Sequence, residues 1–430
     1  MDCPFDCSKF YVNLHVFYSL AFIRYKDREY TFDKAGRLLW IMNNNRKIER
    51  SLNNRFVEKW EMGDDHIYRK KRIIDNAQAE AIYNKIIQDV TEIHTILKSK
   101  PGCYNKCGMY YNSDEIIAFI EKVISSGYSS ALADKTQFDS IYNHIEIIPN
   151  DLTFPLIIQL TEGCAYNKCS FCLFYKNTRF RMKNLDEVKE HIRQIKLFLD
   201  KSIENKYTIF LGDANALMIP QDILITMFDL INNELEIKSW ENNFEKSLQY
   251  SYFMREEEIN QHRFEGIYSF IDAYYGKEKS IKDFKELKER NLRRVYIGME
   301  SGSNRLLSFV KKCNSIQDSI NLITTIKEAK IPVGIMLITG LGGDKFYSEH
   351  VNETIKALNT LPLDSGDSIY FSHLTQHEKT QYEKDSKENG INRLSYEEEN
   401  DQKELIVQGL RFPPENSPHI KGYEIEYVRF

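Results

Sequence analysis

Cysteine is scarce in this chain. There are eight in 430 residues, alongside three tryptophans and ten prolines. So few cysteines cannot staple a chain of this length with disulfides, and they read instead as metal ligands, reactive thiols or small buried residues in a reducing compartment. An uninterrupted apolar run of about 20 residues is missing too, so hydropathy supplies no spanning helix. The opening stretch MDCPFDCSKFYVNLHVFYSLAFIRYKDREY has an early acid and only a short apolar-aromatic run, unlike a signal peptide. Charge of one sign is also not in excess. The formal net charge is −5, which gives no chain-wide footprint for a polyanion. A cytoplasmic protein with no membrane association is the expectation. What is present is ordinary globular material, 42% hydrophobic and 28% charged, in a length that exceeds one compact domain.

The front part, residues 1–150, reads as a mixed α+β accessory domain for substrate recognition. An Asp-Lys-Ala-Gly turn signal between two β-prone runs predicts a hairpin around Gly36. Apolar residues at Ile73, Ala77, Ile82, Ile86, Val90, Ile93 and Leu97 follow a three-and-four spacing and predict one amphipathic helix over 68–98, ended by Pro101 and Gly102. A second helix is predicted from Ser113, with Asp114 and Glu115 in its first turn.

From Phe154 the pattern becomes short β-branched runs alternating with longer helical ones. Candidate strands are PLIIQLTE (155–162), YTIFLGDA (207–214), EGIYSFIDA (265–273), RVYIGMES (294–301), PVGIMLITG (332–340) and DSIYFSHL (367–374). Such alternation implies an α/β fold with a parallel sheet and right-handed crossovers; six units over 151–375 make a partial (β/α)6 barrel of TIM type, with chemistry at the C-terminal strand tips. Residues 376–430 are expected to form a C-terminal extension packing on the barrel. Its charge-rich start, 375–400, reads as an exposed connection, and GYEIEYVRF as a last edge strand.

Just past the first barrel strand lies LTEGCAYNKCSFCLFYKNTRFR, with Cys164, Cys169 and Cys172 within nine residues. Three thiols spaced CxxxxCxxC are too close to be independent core residues. A structural zinc site would want a fourth ligand that this loop lacks, whereas a [4Fe–4S] cluster can take three cysteines and leave one iron open for another molecule. Plain packing and zinc remain the alternatives.

On these residues the sequence resembles the radical S-adenosylmethionine (radical SAM) superfamily, over roughly Pro149 to Leu374. The superfamily mostly has three residues between the first two cysteines, whereas here there are four. Phe171 stands where relatives often have an aromatic. FLGDANAL resembles the turn that meets the methionine amine, which brings in Gly212, Asp213 and Ala214. YIGMESGS resembles the segment approaching ribose and the methionine carboxylate, with Glu300 and Ser301, and LITGLGG resembles the adenine-packing strand, with Ile338 and Gly340. The ordinary alternative for acids at strand tips is helix capping.

The resemblance implies an enzyme whose cofactors are a [4Fe–4S] cluster and S-adenosylmethionine. It implies a one-electron donor such as flavodoxin or ferredoxin, and reductive cleavage to a 5′-deoxyadenosyl radical that abstracts hydrogen from a substrate. The unusual cysteine spacing leaves open cleavage of a different C–S bond, as in aminocarboxypropyl transfer. A small molecule or natural-product intermediate is the expected substrate and peptide or RNA the alternative. The basic-aromatic stretch Arg46–Arg72 is the one feature favouring the latter. A zinc-binding scaffold is the non-enzymatic reading. Further candidates are Cys313 as a catalytic hydrogen donor, against an inert buried thiol; Arg179 and Arg181 as anion holders, against a solvated basic face; and Tyr274 and Tyr275 as pocket walls. The pairs Cys3 with Cys7 and Cys103 with Cys107 would together make a second metal site.

Overall fold

A computed structural model describes residues 10–16, 20–62, 68–99, 113–143, 145, 147–149, 151–152, 154–237, 264–375 and 380–423. Cys3, Cys7, Cys103 and Cys107 lie outside the described residues, as do Pro101 and Gly102.

The front part begins with an antiparallel meander: β1 (Phe10–Val16), β2 (Leu20–Tyr25), β3 (Arg28–Phe32), β4 (Leu38–Asn43), β5 (Arg46–Arg50), β6 (Phe56–Met62) and β7 (Tyr68–Ile74), paired in chain order. The hairpin at Gly36 is there, closed by Gly36 N–H donating to Asp33 O at 2.9 Å with Gly36 at φ +82°. The expected helix from residue 68 is corrected. Residues to Ile74 pair with β6, and α1 starts only at Asn76 and runs to Ser99. Charge pairing across strands holds this segment as sheet: Glu58 takes Arg46 at 3.1 Å from one side and Arg72 at 2.6 Å from the other. Helix α1 lays Tyr83, Ile86, Val90 and Ile93 into a core with Ile23, Tyr30, Phe32 and Phe56, which α2 (Ser113–Ser125) and the start of α3 (Tyr128–Ile141) complete through Ile116, Ile120 and Ala131. Among the described residues no single helix is long and apolar enough to cross a membrane.

The second sheet is the parallel one. Strands β8 (Leu156–Gln159), β11 (Thr208–Gly212), β12 (Gly266–Phe270), β13 (Leu292–Glu300), β14 (Val333–Thr339), β15 (Ser368–His373) and β16 (His419–Gly422) lie side by side in that order. All six expected barrel strands are present. The edge strand forms earlier than GYEIEYVRF, at His419–Gly422, and residues 424–430 of that run are outside the described residues. A short ribbon, β9 (Thr161–Glu162) with β10 (Arg181–Met182), brackets the cysteine loop. The outer helices are α4 (Leu185–Leu199), α5 (Gln221–Glu234), α6 (Ala273–Gly276), α7 (Ile281–Glu289), α8 (Asn304–Phe309), α9 (Ile316–Glu328) and α10 (Gly343–Leu358). Three of them start with capping boxes, Asn184 with Glu187, Ser280 with Asp283 and Ser315 with Asp318, so the sequence itself marks where each crossover turns helical. Both faces of the strands are covered, which is why they read as apolar runs: Ile158, Ile209, Phe210, Ile267, Val295, Ile297, Ile335 and Ile369 are all buried.

The stretch 375–400 is corrected as well, because it is no exposed connection. It contains α11 (Gln381–Glu388) and the start of α12 (Tyr396–Gln408), which bury Tyr382, Glu399 and Gln402 against the barrel. Helix α12 has its own capping box, Ser395 with Glu398. The front sheet and the barrel meet where Trp40 stacks on Phe154 at 5.7 Å and Lys34 pairs with Glu204 at 2.6 Å. At the same junction Arg37 lies 4.7 Å from the Phe198 ring centroid.

Candidate functional site

The cysteine loop hangs between β9 and β10 at the C-terminal mouth of the barrel. Gly163 opens it at φ +76°, where a Cβ would press on Thr178 O at 3.2 Å. Asn167 sets its middle: its backbone N–H points at Cys164 Sγ at 3.3 Å and its side chain donates to Tyr175 O at 2.6 Å. The loop is tied outward by Ser170 N–H to Val310 O at 2.9 Å, by Tyr166 OH to Lys311 O at 2.7 Å and by Tyr382 N–H to Ser170 O at 3.1 Å.

Cys164, Cys169 and Cys172 all line one cavity of about 540 Å³. The described cysteines, these three and Cys313, are free thiols. Burial pushes the Cys169 thiol up to about 12 and Cys172 up to about 11, so without a cation to hold them both carry their protons at neutral pH. Among the described residues no three or more His, Cys, Asp or Glu side chains converge on the position of a single metal ion.

The same cavity holds a charged group at the tips of β12 and β13. Glu300 is 9% exposed and lines the cavity with a backbone φ of +62°, in the left-handed region. Lys312 reaches it at 3.2 Å and reaches Asp272 Oδ2 at 3.2 Å. Burial raises Glu300 above the usual carboxylate range, and the neighbouring Lys312 ammonium opposes that rise. Gly298 also lines the cavity and leaves room for this pair, because a Cβ there would stand 2.5 Å from Glu300 Oε1.

Of the residues singled out from the sequence, Phe171, Ala214, Ile338 and Tyr275 also face this cavity. Others stand behind it. Asp213 is buried and accepts from Gly163 N–H and Gln159 Nε2, each at 2.9 Å, so its carboxylate steadies the cysteine loop from beneath; burial lifts it to about 7. Gly212 ends β11 beside Gln159. Ser301 is buried 2.7 Å from His350 Nδ1, and Gly340 donates its N–H to Gln402 Oε1 at 2.8 Å. Cys313 donates to Asp272 Oδ1 at 3.4 Å. Arg181 pairs with Glu162 and Glu187, each at 2.6 Å, Arg179 is exposed, and Tyr274 is exposed beneath Lys277. The sequence reading passed over Lys312, Asp272 and His373, and also Arg55 and Ile73, through which the front sheet reaches the cavity. Lys312 lies in the same KKC run as Cys313, and the position of that run after the Glu300 strand was the available signal.

Residues 158–358 match the family model described as Radical SAM superfamily. No curated protein matches the chain in sequence. Among solved structures, the radical S-adenosylmethionine methyltransferase TsrM from Kitasatospora setae is 15% identical with a TM-score of 0.36, over 53% of this chain and 38% of its own. Elp3 from the archaeon Methanocaldococcus infernus is 12% identical with a TM-score of 0.36, over 64% of this chain and 57% of its own. Coproporphyrinogen III oxidase (HemN) from Escherichia coli is 11% identical with a TM-score of 0.36, over 59% of this chain and 50% of its own. The chain thus spans less than two thirds of the length of each of these proteins. The family match runs from β8 through α10, across the cysteine loop and the Glu300 strand tip, so this part of the chain is a radical SAM domain, of the superfamily whose cofactors are a [4Fe–4S] cluster and S-adenosylmethionine.

Proposed function

We propose that Cys164, Cys169 and Cys172 hold the [4Fe–4S] cluster, that S-adenosylmethionine lies between it and Glu300, and that the cavity also admits a small-molecule substrate from which hydrogen is abstracted. The observation that carries this is the sharing of one cavity by the three thiols and the Glu300–Lys312–Asp272 group. Three thiols in one loop with no fourth ligand beside them in sequence suit a cluster that leaves one iron open better than tetrahedral zinc, which takes four ligands. When bound, the cluster supplies the electron that breaks a sulfonium C–S bond of S-adenosylmethionine, giving methionine and a 5′-deoxyadenosyl radical.

The chain's own residues hold, orient and exclude water. The buried Cys169 and Cys172 thiols would lose their protons to solvent only as iron takes their place, which ties loop order to metal loading. Glu300 accepts from a ribose hydroxyl or an ammonium, and the Lys312 ammonium 3.2 Å away opposes the rise in its pKa that burial causes. Tyr166, Phe171, Phe270 and Tyr275 wall the chamber with apolar surface, and a volume of about 540 Å³ falls within the roughly 300–1,000 Å³ of small-molecule sites.

A small molecule is favoured over RNA because the basic stretch Arg46–Arg72 is largely neutralised by acids of its own sheet and of α3. Arg46 and Arg72 share Glu58, Lys47 and Lys59 share Glu49, Arg50 pairs with Asp134 and Lys70 with Glu61. In this reading residues 1–150 recognise substrate, 151–375 form the catalytic barrel and 376–430 buttress its mouth. A flavodoxin- or ferredoxin-like donor in a reducing cytoplasm delivers the electron.

The test is anaerobic reconstitution with iron and sulfide, then reduction with dithionite in the presence of S-adenosylmethionine and mass spectrometry of the nucleosides. 5′-Deoxyadenosine that disappears together with bound iron in Cys169→Ala supports the reading. 5′-Methylthioadenosine in its place redirects it to aminocarboxypropyl chemistry. Zinc bound where iron fails to assemble refutes it.

A further inference from the structure

The C-terminal extension brings one carboxylate to the mouth of the barrel, and what it meets there is a histidine. His373 ends β15 and lines the cavity, with its side chain 39% exposed. Its Nδ1 lies 2.7 Å from Glu399 Oε2 on α12. Glu399 is 3% exposed, and its other oxygen, Oε1, is buried without a hydrogen-bond partner. A carboxylate sunk this deeply, with half its acceptor capacity unused, is costly to keep unless the imidazole it faces repays that cost.

The surroundings are shaped around this contact. Gly340 at the tip of β14 sits at φ +81°, and a Cβ there would stand 2.4 Å from Glu399 Oε1, so only glycine leaves room for the carboxylate. Gln402, one helical turn beyond Glu399, accepts the Gly340 N–H at 2.8 Å and fixes the strand tip to α12. The Tyr396 ring packs on the imidazole with centroids 4.7 Å apart, and Thr339 Oγ1 lies 3.5 Å from Nδ1.

We propose that His373 is a proton acceptor for the substrate in this cavity and that Glu399 is its positioning residue. A carboxylate accepts only, so Nδ1 carries the proton and donates to Glu399, which leaves Nε2 as a bare acceptor on a cavity-lining ring. The group it serves is a hydroxyl or ammonium of the substrate. The O–H or N–H bond breaks, the Nε2–H bond forms, the electron pair stays on the substrate heteroatom, and Glu399 faces the resulting imidazolium as its counter-ion. The substrate class is therefore a small molecule bearing a hydroxyl or amine, in place of a purely hydrocarbon chain. This rests on the cavity being the substrate chamber. The dyad itself can be tested with no cluster loaded, so its failure is distinguishable from failure of the radical reading.

The experiment uses the full chain labelled with 15N-histidine. Long-range 1H–15N spectra are recorded over pH, the His373 signals are assigned by their loss in His373→Gln, and diethyl pyrocarbonate labelling is followed by peptide mass spectrometry. The expected result is a His373 protonated at Nδ1 and modified at Nε2. In Glu399→Gln, and independently in Gly340→Ala, the ring reverts toward the Nε2–H tautomer and the fast labelling is lost, while far-UV circular dichroism is unchanged. A His373 found as the Nε2–H tautomer in the native chain, or one whose tautomer ignores both variants, overturns the dyad. An Nδ1–H tautomer whose Nε2 neither titrates nor reacts overturns the proton-acceptor role.

Discussion

Replacing Lys312 by methionine keeps the length of the side chain and removes only its charge, which isolates the electrostatics of the cavity wall. Two carboxylates then lose the ammonium that stood 3.2 Å from each, in a place where Glu300 is almost fully buried. Removing one partner of a buried pair costs about 3–5 kcal/mol, because the other charge is left in a poor solvent. The cost depends on pH in a definite direction. Burial already holds the Glu300 carboxyl above its ordinary range and Lys312 pulls it down, so without Lys312 it climbs further. The folded variant then keeps a proton that the unfolded chain has released, and its stability falls as pH rises above the usual carboxylate range by up to about 1.4 kcal/mol per pH unit. Urea unfolding of Lys312→Met at pH 5.5 and pH 8, followed by circular dichroism, should show the larger loss at pH 8. Adding Glu300→Gln should recover much of it. A loss below about 1 kcal/mol at pH 8, or one equal at both pH values, would refute the reasoning.

Three further substitutions probe neighbouring parts. Gly298→Ala places a Cβ 2.5 Å from Glu300 Oε1 and should displace the carboxylate from Lys312, weakening S-adenosylmethionine binding measured by calorimetry while iron content stays at the native level. Asp213 is lifted to about 7 by burial, so the native chain holds a proton there that the unfolded chain loses near pH 4. The contribution of Asp213 to native stability should therefore fall from about pH 4 to about pH 7, and the difference between the native melting curves and those of Asp213→Asn should trace that window. Arg37→Ala removes the guanidinium that pairs with Asp134 at 3.2 Å and covers the Phe198 ring, a loss of about 1–3 kcal/mol at the junction of front sheet and barrel. Limited proteolysis should then cut at the junction faster, with iron binding retained.

The barrel was legible because its strands are buried on both faces. Runs such as Ile157–Ile158, Ile209–Leu211 and Val333–Ile335 need no partner to be recognised as strands, and the longer helical runs between them complete the alternation. The front sheet was less legible. RKIER and YRKKRII carry bases where a half-buried strand would show alternating apolar residues, and they are strands because Glu58 on β6, between them, meets Arg46 of the one and Arg72 of the other across the ladder. That pairing depends on register, and register lies in no single segment.

The same distinction separates the two halves of the site. The thiols are close in sequence, so their shared purpose could be read from nine residues. The charged half is assembled from Asp272, Glu300 and Lys312 at the ends of different elements, and His373 meets Glu399 only because α12 folds back over the mouth of the barrel. The acidic helix that carries Glu399 looked like solvated surface, since an excess of glutamate outweighs one buried position in any average over the segment. Gly340 shows what such a reading misses. Its place at a strand tip was visible, but the reason only glycine fits there is a carboxylate 59 residues further along the chain. Substituting Gly340 and substituting Glu399 should therefore have one consequence at His373, although neither residue touches the cavity thiols and no local pattern connects them.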